Sequence, residues 1–269
     1  MADSLAGVAL AAGAGTRLRP LTDLRPKPLC PLGDRPLIDH ALGALSAAAG
    51  DLAVNVHHGA DAVRAHVLTP AGPWSPPHVS FEAGVPLGTA GALGQLRDWI
   101  GPRDVLVVNS DTWHGADLNL FAESWDRGSI AVLTDTPGPF GPRSGVVASL
   151  LPAERVGALQ SVPGGLWEVL WAPEVAEGRL VTMHTDAPVY DCGTPRSYLE
   201  ANLAWAAIHG PGDNSGVAPH ARVADSVLGE GAVVEGSIDR CVIWPGARVA
   251  AGEKLRGAIR ADHLTVLVR

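Results

Sequence analysis

The run Gly13-Ala-Gly-Thr-Arg17 stands directly after the apolar residues Val8 to Ala12, and Lys27 follows between Pro26 and Pro28. Glycines at the end of a short apolar strand let the backbone turn sharply, so that its N–H groups can close on a phosphate. Thr16 adds a hydroxyl, while Arg17 and Arg19 add forked, permanently charged donors that match phosphate oxygens. The flanking prolines restrict the backbone around Lys27 and so limit where its ammonium can point. The whole stretch reads as an anion clamp for a polyphosphate. It is not a dinucleotide fingerprint, because Leu18 fills the place of the third glycine, and no Gly-Lys-Ser/Thr follows as in a P-loop.

Two aspartates could complete such a site. Asp111 ends Val107-Val-Asn-Ser-Asp111, where a carboxylate beside a phosphate clamp suits Mg²⁺, which ordinarily takes one or two carboxylates plus substrate phosphates. By spacing alone it serves equally well as a cap for the next segment. Asp191, in Tyr190-Asp-Cys-Gly-Thr-Pro195, could likewise cap the helix that starts near Arg196. Leu87-Gly-Thr-Ala-Gly91, preceded by Glu82, is either a plain helix start or a loop whose glycines admit a ligand. His57 and His58 end a strand and cannot both point inward; His58 is the one placed to line the site, and neither is assigned to a metal.

Composition narrows the partners. A formal charge of −8 excludes a broad nucleic-acid surface, so phosphate recognition must be local. Only Lys27 and Lys254 are lysines, which makes an ammonium kept inside Pro-Lys-Pro more telling. No apolar run is long enough to cross a bilayer, and the N-terminus lacks a basic-then-apolar leader, so no membrane is expected. Cys30, Cys192 and Cys241 are far apart without metal-ligand spacing, which points to a reducing, cytoplasmic setting.

The elements that must hold these residues alternate in type. Strands are expected at 8–12, 52–56, 79–81, 105–108, 130–134 and 144–148, with helices at 36–49, 61–67 (capped by Asp61) and 196–207, and another into which residues 82–93 run and which ends near Trp99. Strict alternation implies a mostly parallel sheet with helices on both faces, whose ligands sit beyond the carboxyl ends of the strands. Gly210 to Gly216 reads as a linker. After it, Val217, Val223, Val233, Val249 and Leu255 recur near multiples of five or six, the imperfect hexapeptide rhythm of a β-helix of two to three coils. Domains are therefore expected at 1–209 and 217–269.

Leu10-Ala-Ala-Gly-x-Gly-Thr-Arg-Leu-Arg-Pro-Leu-Thr22 followed by Pro26-Lys-Pro-Leu29 resembles the signature of the sugar-1-phosphate nucleotidylyltransferases. Asn109-Ser-Asp111 is similar to that family's Asn-x-Asp metal motif, and Asp191 matches its second metal aspartate, before Gly-Thr-Pro. The resemblance implies a Rossmann-like α/β fold with a short left-handed β-helix-like tail. It also implies transfer of a nucleoside monophosphate from a triphosphate to a sugar 1-phosphate, with Mg²⁺ as cofactor and pyrophosphate as the other product. Ala12, Gly13, Ala14, Gly15, Thr16, Arg17, Gly88 and Thr89 would bind nucleotide, with Arg17, Lys27 and Asp111 catalytic. Asp111 and Asp191 would hold the metal, and Gly91 and Glu168 the sugar. A homo-oligomer, formed through the tail, is expected.

The middle of the chain departs from the family. Its Glu-Lys-Pro element is missing, since no lysine lies between Lys27 and Lys254, and Arg143 or Arg155 is the available substitute. The Leu87–Gly91 segment and the tail look like mannose-1-phosphate guanylyltransferases, towards which the sequence leans. Val54-Asn-Val-His-His58 and the compact middle look like uridylyltransferases of amino sugars such as N-acetylmuramate 1-phosphate. A non-catalytic nucleotide-sugar sensor is the reading from another class; such subunits usually lose a motif arginine, lysine or aspartate.

Overall fold

The computed structural model describes residues 5–69 and 72–268. They fall into two compact units, each made from two stretches of chain: residues 1–14 with 38–189, and residues 15–37 with 190–269. The signature is thus divided between units at Ala14 and Gly15. The helix expected to close the first domain, and the loop holding Lys27, group with the C-terminal β region rather than with the sheet.

The first unit is built on β1 (Ala6–Leu10), β2 (Asp51–Val56), β3 (His78–Phe81), β4 (Val105–Asn109), β5 (Ala131–Thr134), β6 (Val146–Leu151) and β7 (Val181–His184). They form one sheet in the order β7-β5-β6-β4-β1-β2-β3. Only β6 runs antiparallel to its neighbours, β4 and β5. The strands at the centre are short and apolar on both faces, as a covered parallel sheet requires. Helices α1 (Leu37–Ser46), α2 (Ala60–Val67) and α3 (Gly88–Ile100) lie in the connections. From α3, Ala90, Leu93, Leu96 and Ile100 recur at three- and four-residue spacing and join Val8, Val107 and Val132 in the core. The expected elements are present with ends shifted by a few residues. One detail differs: α2 starts from Gly59 in a left-handed conformation (φ 62°), not from an Asp61 cap.

Register fixes what the sheet edge presents. Leu10 lies opposite Asn55 on β2 and opposite Asn109 on β4. Asn55 is buried, and its Oδ1 accepts the Ala11 N–H at 2.8 Å, just where β1 gives way to the glycine loop. Its Nδ2 donates to Glu82 Oε1 at 2.6 Å, and the Leu87 N–H donates to Glu82 Oε2 at 2.8 Å. Glu82, 5% exposed, therefore has both oxygens engaged by the chain itself. On the other side of β1, the Ser110 N–H and hydroxyl both donate to the Leu10 carbonyl. Elsewhere in the unit, buried Asp39 on α1 accepts from His66 Nε2 on α2 at 2.8 Å, and this bond raises the His66 pKa above its usual value.

The second unit joins the loop 15–37 to α4 (Pro195–His209) and the C-terminal strands. Thr194 opens α4 with a reciprocal capping box to Ser197. Fully buried Tyr198 donates its hydroxyl to the Pro31 carbonyl and accepts the Trp244 indole N–H at 3.0 Å, while Asn202 Oδ1 accepts the Gly33 N–H at 3.0 Å. One turn of α4 thus fastens the loop to the tail. In the tail, β8 (Arg222–Ala224), β9 (Val227–Leu228), β10 (Val233–Val234), β11 (Ser237–Ile243), β12 (Arg248–Val249) and β13 (Lys254–Ala261) pair in parallel, and β14 (Leu264–Leu267) closes antiparallel on β13. Val223 pairs with Ile238 and Ile238 with Leu255, an aliphatic row across three strands.

Two expectations follow. Asn55→Ala leaves the Ala11 N–H and a Glu82 oxygen without their partner and should cost about 1–3 kcal/mol in urea denaturation. Asn55→Asp should cost more at neutral pH, because it sets two carboxylates side by side, and should recover towards pH 5 as one takes up a proton. A loss below the error of extrapolation in both variants would remove the bridge from the stabilising role. His66→Gln should destabilise by about 1 kcal/mol at pH 6, since a half-buried charged bond is lost. A histidine whose pKa is raised on folding contributes fully below its unfolded value near 6.5 and loses that contribution as pH climbs through the folded value. The gap between the two proteins should therefore shrink from pH 6 to 8.5; a constant or growing gap would refute the charged pair.

Candidate active site

In the first unit, the carboxyl ends of β1 and β4 open into a cavity of about 310 Å³. Ala12, Gly13 and Ala14 line it from the loop after β1, Gly88 and Thr89 from the start of α3, and Asp111 from the turn after β4. Six residues expected at a nucleotide–metal site from three separated segments thus meet in one place. Leu10, Asn55, Pro86 and Asn109 complete the lining. Gly13 faces open space where a side chain would stand, which leaves the backbone free for close approach.

The glycines of α3 serve a different purpose. Gly88 has φ +69°, a conformation that L side chains rarely adopt, and a β-carbon there would stand 2.6 Å from the Gly164 carbonyl oxygen. Gly91, expected at the sugar, is buried inside α3 against the Val162 carbonyl. These positions are small so that segment 160–165 can lie on the helix. The Gly164 N–H donates to the Leu87 carbonyl at 2.9 Å and the Leu166 N–H to Thr89 Oγ1 at 2.7 Å, so the Thr89 hydroxyl is already engaged. Glu168 lines a second cavity of this unit. His58 is exposed, and His57 is the histidine tied inward, its Nδ1 3.0 Å from the Glu82 carbonyl oxygen.

In the second unit, Gly15 turns the chain at φ +63° into a short 3₁₀ turn, Thr16–Leu18. Its carbonyl accepts from the Leu18 N–H and the Thr22 hydroxyl, both at 3.0 Å. Lys27 is 6% exposed, an unusual position for a lysine, and its Nζ stands 4.0 Å from Asp191 Oδ1. Arg17, largely exposed, approaches Asp191 Oδ2 at 3.8 Å. Three residues expected at the site, from positions 17, 27 and 191, therefore share one cluster. Arg19 instead pairs with Asp23 at 3.1 Å along the following turn. Gly193 is crowded by both Asp191 and Arg17, so the residue after Asp191-Cys192 must be small for this cluster to close.

Asp111 and Asp191 offer only hard oxygen donors, which fits Mg²⁺ rather than a soft or nitrogen-preferring ion. Among the described residues no three His, Cys, Asp or Glu side chains gather into a ready-made metal cage. One or two carboxylates, with phosphates completing the shell, is the usual arrangement for that ion. Of the two arginines offered for the missing mid-chain lysine, Arg155 is committed to buried Glu174 at 3.3 Å, and Arg143 is exposed. The three cysteines are buried and form no disulfide; burial pushes the Cys30 thiol up to about 12, so it is no nucleophile. Sequence reasoning missed the role of Asn55; a polar residue inside an otherwise apolar central strand was the signal.

Comparison with known proteins agrees with this geometry. The chain is 40% identical over 124 residues to an N-acetylmuramate alpha-1-phosphate uridylyltransferase of Caulobacter vibrioides, covering 44% of this chain and 51% of that protein. It is 36% identical over 143 residues to a mannose-1-phosphate guanyltransferase of Aspergillus fumigatus, covering 49% and 38%. The chain thus spans about half the length of these curated relatives, or less. A crystal structure of a candidate glucose-1-phosphate thymidylyltransferase from Bacillus anthracis, with bound sucrose, superposes with a TM-score of 0.62 at 20% identity, over 75% of this chain and 95% of that one. That likeness establishes the fold. Residues 6–136 match the nucleotidyl transferase family model.

Proposed function

We propose that this protein transfers a nucleoside monophosphate from a nucleoside triphosphate to a sugar 1-phosphate, giving a nucleoside diphosphate sugar and pyrophosphate. The observation that carries this reading is the first-unit cavity in which Gly13, Ala14, Gly88 and Asp111 converge at the ends of parallel strands. In the reaction an oxygen of the sugar phosphate forms the new bond to the α-phosphorus, and the bond from that phosphorus to the β-phosphate oxygen breaks. A phosphate oxygen at neutral pH is already a nucleophile, so no general base is needed. The rate then rests on alignment and on neutralising phosphate charge.

The chain's residues are suited to that work. Open backbone at Gly13 accommodates triphosphate oxygens, and Arg17 and Lys27 supply positive charge from one cluster. Lys27 is held by prolines and by burial, so its ammonium needs little reorganisation. Asp111 and Asp191 are the carboxylates for Mg²⁺, which would neutralise the phosphates and pyrophosphate when bound. Between donors, the higher identity to a uridylyltransferase favours UTP over the guanylyl donor towards which the sequence leans. We also read the C-terminal region as a short β-helix, since its parallel partners recur 15 or 17 residues apart: Arg222 with Ser237, Val233 with Arg248, Ser237 with Lys254.

The test is pyrophosphate release from UTP, GTP, dTTP, ATP and CTP against a panel of sugar 1-phosphates with Mg²⁺. Lys27→Ala and Asp111→Asn should each lower kcat/KM by about 10²–10³ while circular dichroism stays unchanged. Turnover at the unaltered rate by Asp111→Asn would exclude that carboxylate from the metal. No turnover by the unaltered protein with any pair would favour a nucleotide-sugar sensor.

A further inference from the structure

A second cavity in the first unit, also about 310 Å³, shares Leu10, Thr89 and Asn109 with the one that holds Asp111. Val107 and Val108 of β4, with Val147 and Ser149 of β6, line it from the sheet, and Trp167 and Trp171 line it from the segment after α3's partner loop. The two tryptophans bracket a π turn, in which the Ala172 N–H donates to the Trp167 carbonyl five residues back. Phe140 meets both indoles edge-on, with ring centroids 5.7 and 5.6 Å away. The bond from the Leu166 N–H to Thr89 fastens this wall to α3. The family match ends at residue 136, so the whole aromatic wall belongs to the part of the chain outside it.

The chemistry of the lining is selective. Among the described residues that line the cavity, Glu168 alone carries a formal charge. Arg143 is not in the lining, and Arg155 is spent on Glu174. The Trp171 indole N–H is buried without a hydrogen-bond partner, a donor that ordinarily finds one. We propose that this cavity receives the sugar ring of the acceptor and is built for a sugar 1-phosphate whose ring bears no carboxylate. A neutral pyranose offers C–H faces to the indoles and hydroxyls to Ser144, Asn109 and Glu168. A carboxylate placed here would meet no cation in the lining and would stand beside a like charge. The proposal rests on the transferase reading and separates this chain from the Caulobacter relative, whose named substrate is an acidic sugar.

The experiment compares glucose, mannose and N-acetylglucosamine 1-phosphates with glucuronate and N-acetylmuramate 1-phosphates, in pyrophosphate release and, independently, in binding by saturation-transfer NMR. An uncharged sugar should lead the acidic ones by about tenfold or more in kcat/KM. Trp167→Leu should raise the sugar KM about tenfold and leave the nucleotide KM within about twofold. Glu168→Arg, at an exposed position of the lining, should raise use of glucuronate 1-phosphate about tenfold. Preference for an acidic sugar in the unaltered protein, or an unmoved sugar KM in Trp167→Leu, would overturn the proposal. Should nothing turn over, uncharged sugar phosphates that bind and are lost in Trp167→Leu would keep the pocket and refute the transferase; absent such binding, the pocket falls too.

Discussion

A buried carboxylate organises the first unit. Glu82 has lost most of its water, and an ionised group in that position must find hydrogen-bond donors in the chain. It finds two, the Asn55 amide and the Leu87 N–H, and Asn55 passes the constraint on to the Ala11 N–H. Three strand ends and the start of α3 are thereby fixed by one side chain. Because each member is buried, each is costly to leave unpaired, and the network holds as a whole or not at all. The glycine loop that follows Ala11 therefore leaves the sheet from a defined point, which is what alignment of a phosphate requires.

The glycines of α3 extend the same logic to the other side of the cavity. A helix with three small positions in succession, at 88, 91 and 94, accepts the backbone of 160–165 directly onto its surface. That close approach sets the Leu166 N–H on the Thr89 hydroxyl and so delivers Trp167 and Trp171 to the rim. A residue lining the Asp111 cavity and the aromatic wall of its neighbour are thus coupled through a single hydrogen bond. The sheet contributes the shared floor, and the two cavities divide at Leu10, Thr89 and Asn109.

What could be read from sequence was what is local. The apolar runs of β1, β2 and β4 and the helical spacing of α3 are properties of neighbouring residues, and they appear as expected. The reading of Gly88 and Gly91 as glycines that admit a nucleotide and a sugar met a different physical fact. Their missing side chains make room for the chain's own backbone, from a segment more than sixty positions later. No local pattern signals that. The same holds for Trp167 and Trp171: two tryptophans four apart look like an ordinary core stripe, and only the π turn and Phe140 show that they wall a cavity. Lys27 stands out in the sequence between its prolines, but its approach to Asp191, far along the chain, is not signalled there.

The two glycines of the signature prove to do opposite things. Gly13 stands before open space, and a methyl group there would be felt first by a ligand. Gly15 adopts a left-handed turn in which a β-carbon would press on Lys27 and Thr22, 2.9 and 3.0 Å away. It is small for the sake of the lysine, whose burial against Asp191 needs the loop to close tightly over its stem. The spacing Gly-x-Gly is therefore not one phosphate-binding device repeated. It is an open stretch of backbone followed by a fold that seats the Lys27 side chain, and the change from one unit to the other falls between them. A signature that looks continuous in sequence joins two structural duties.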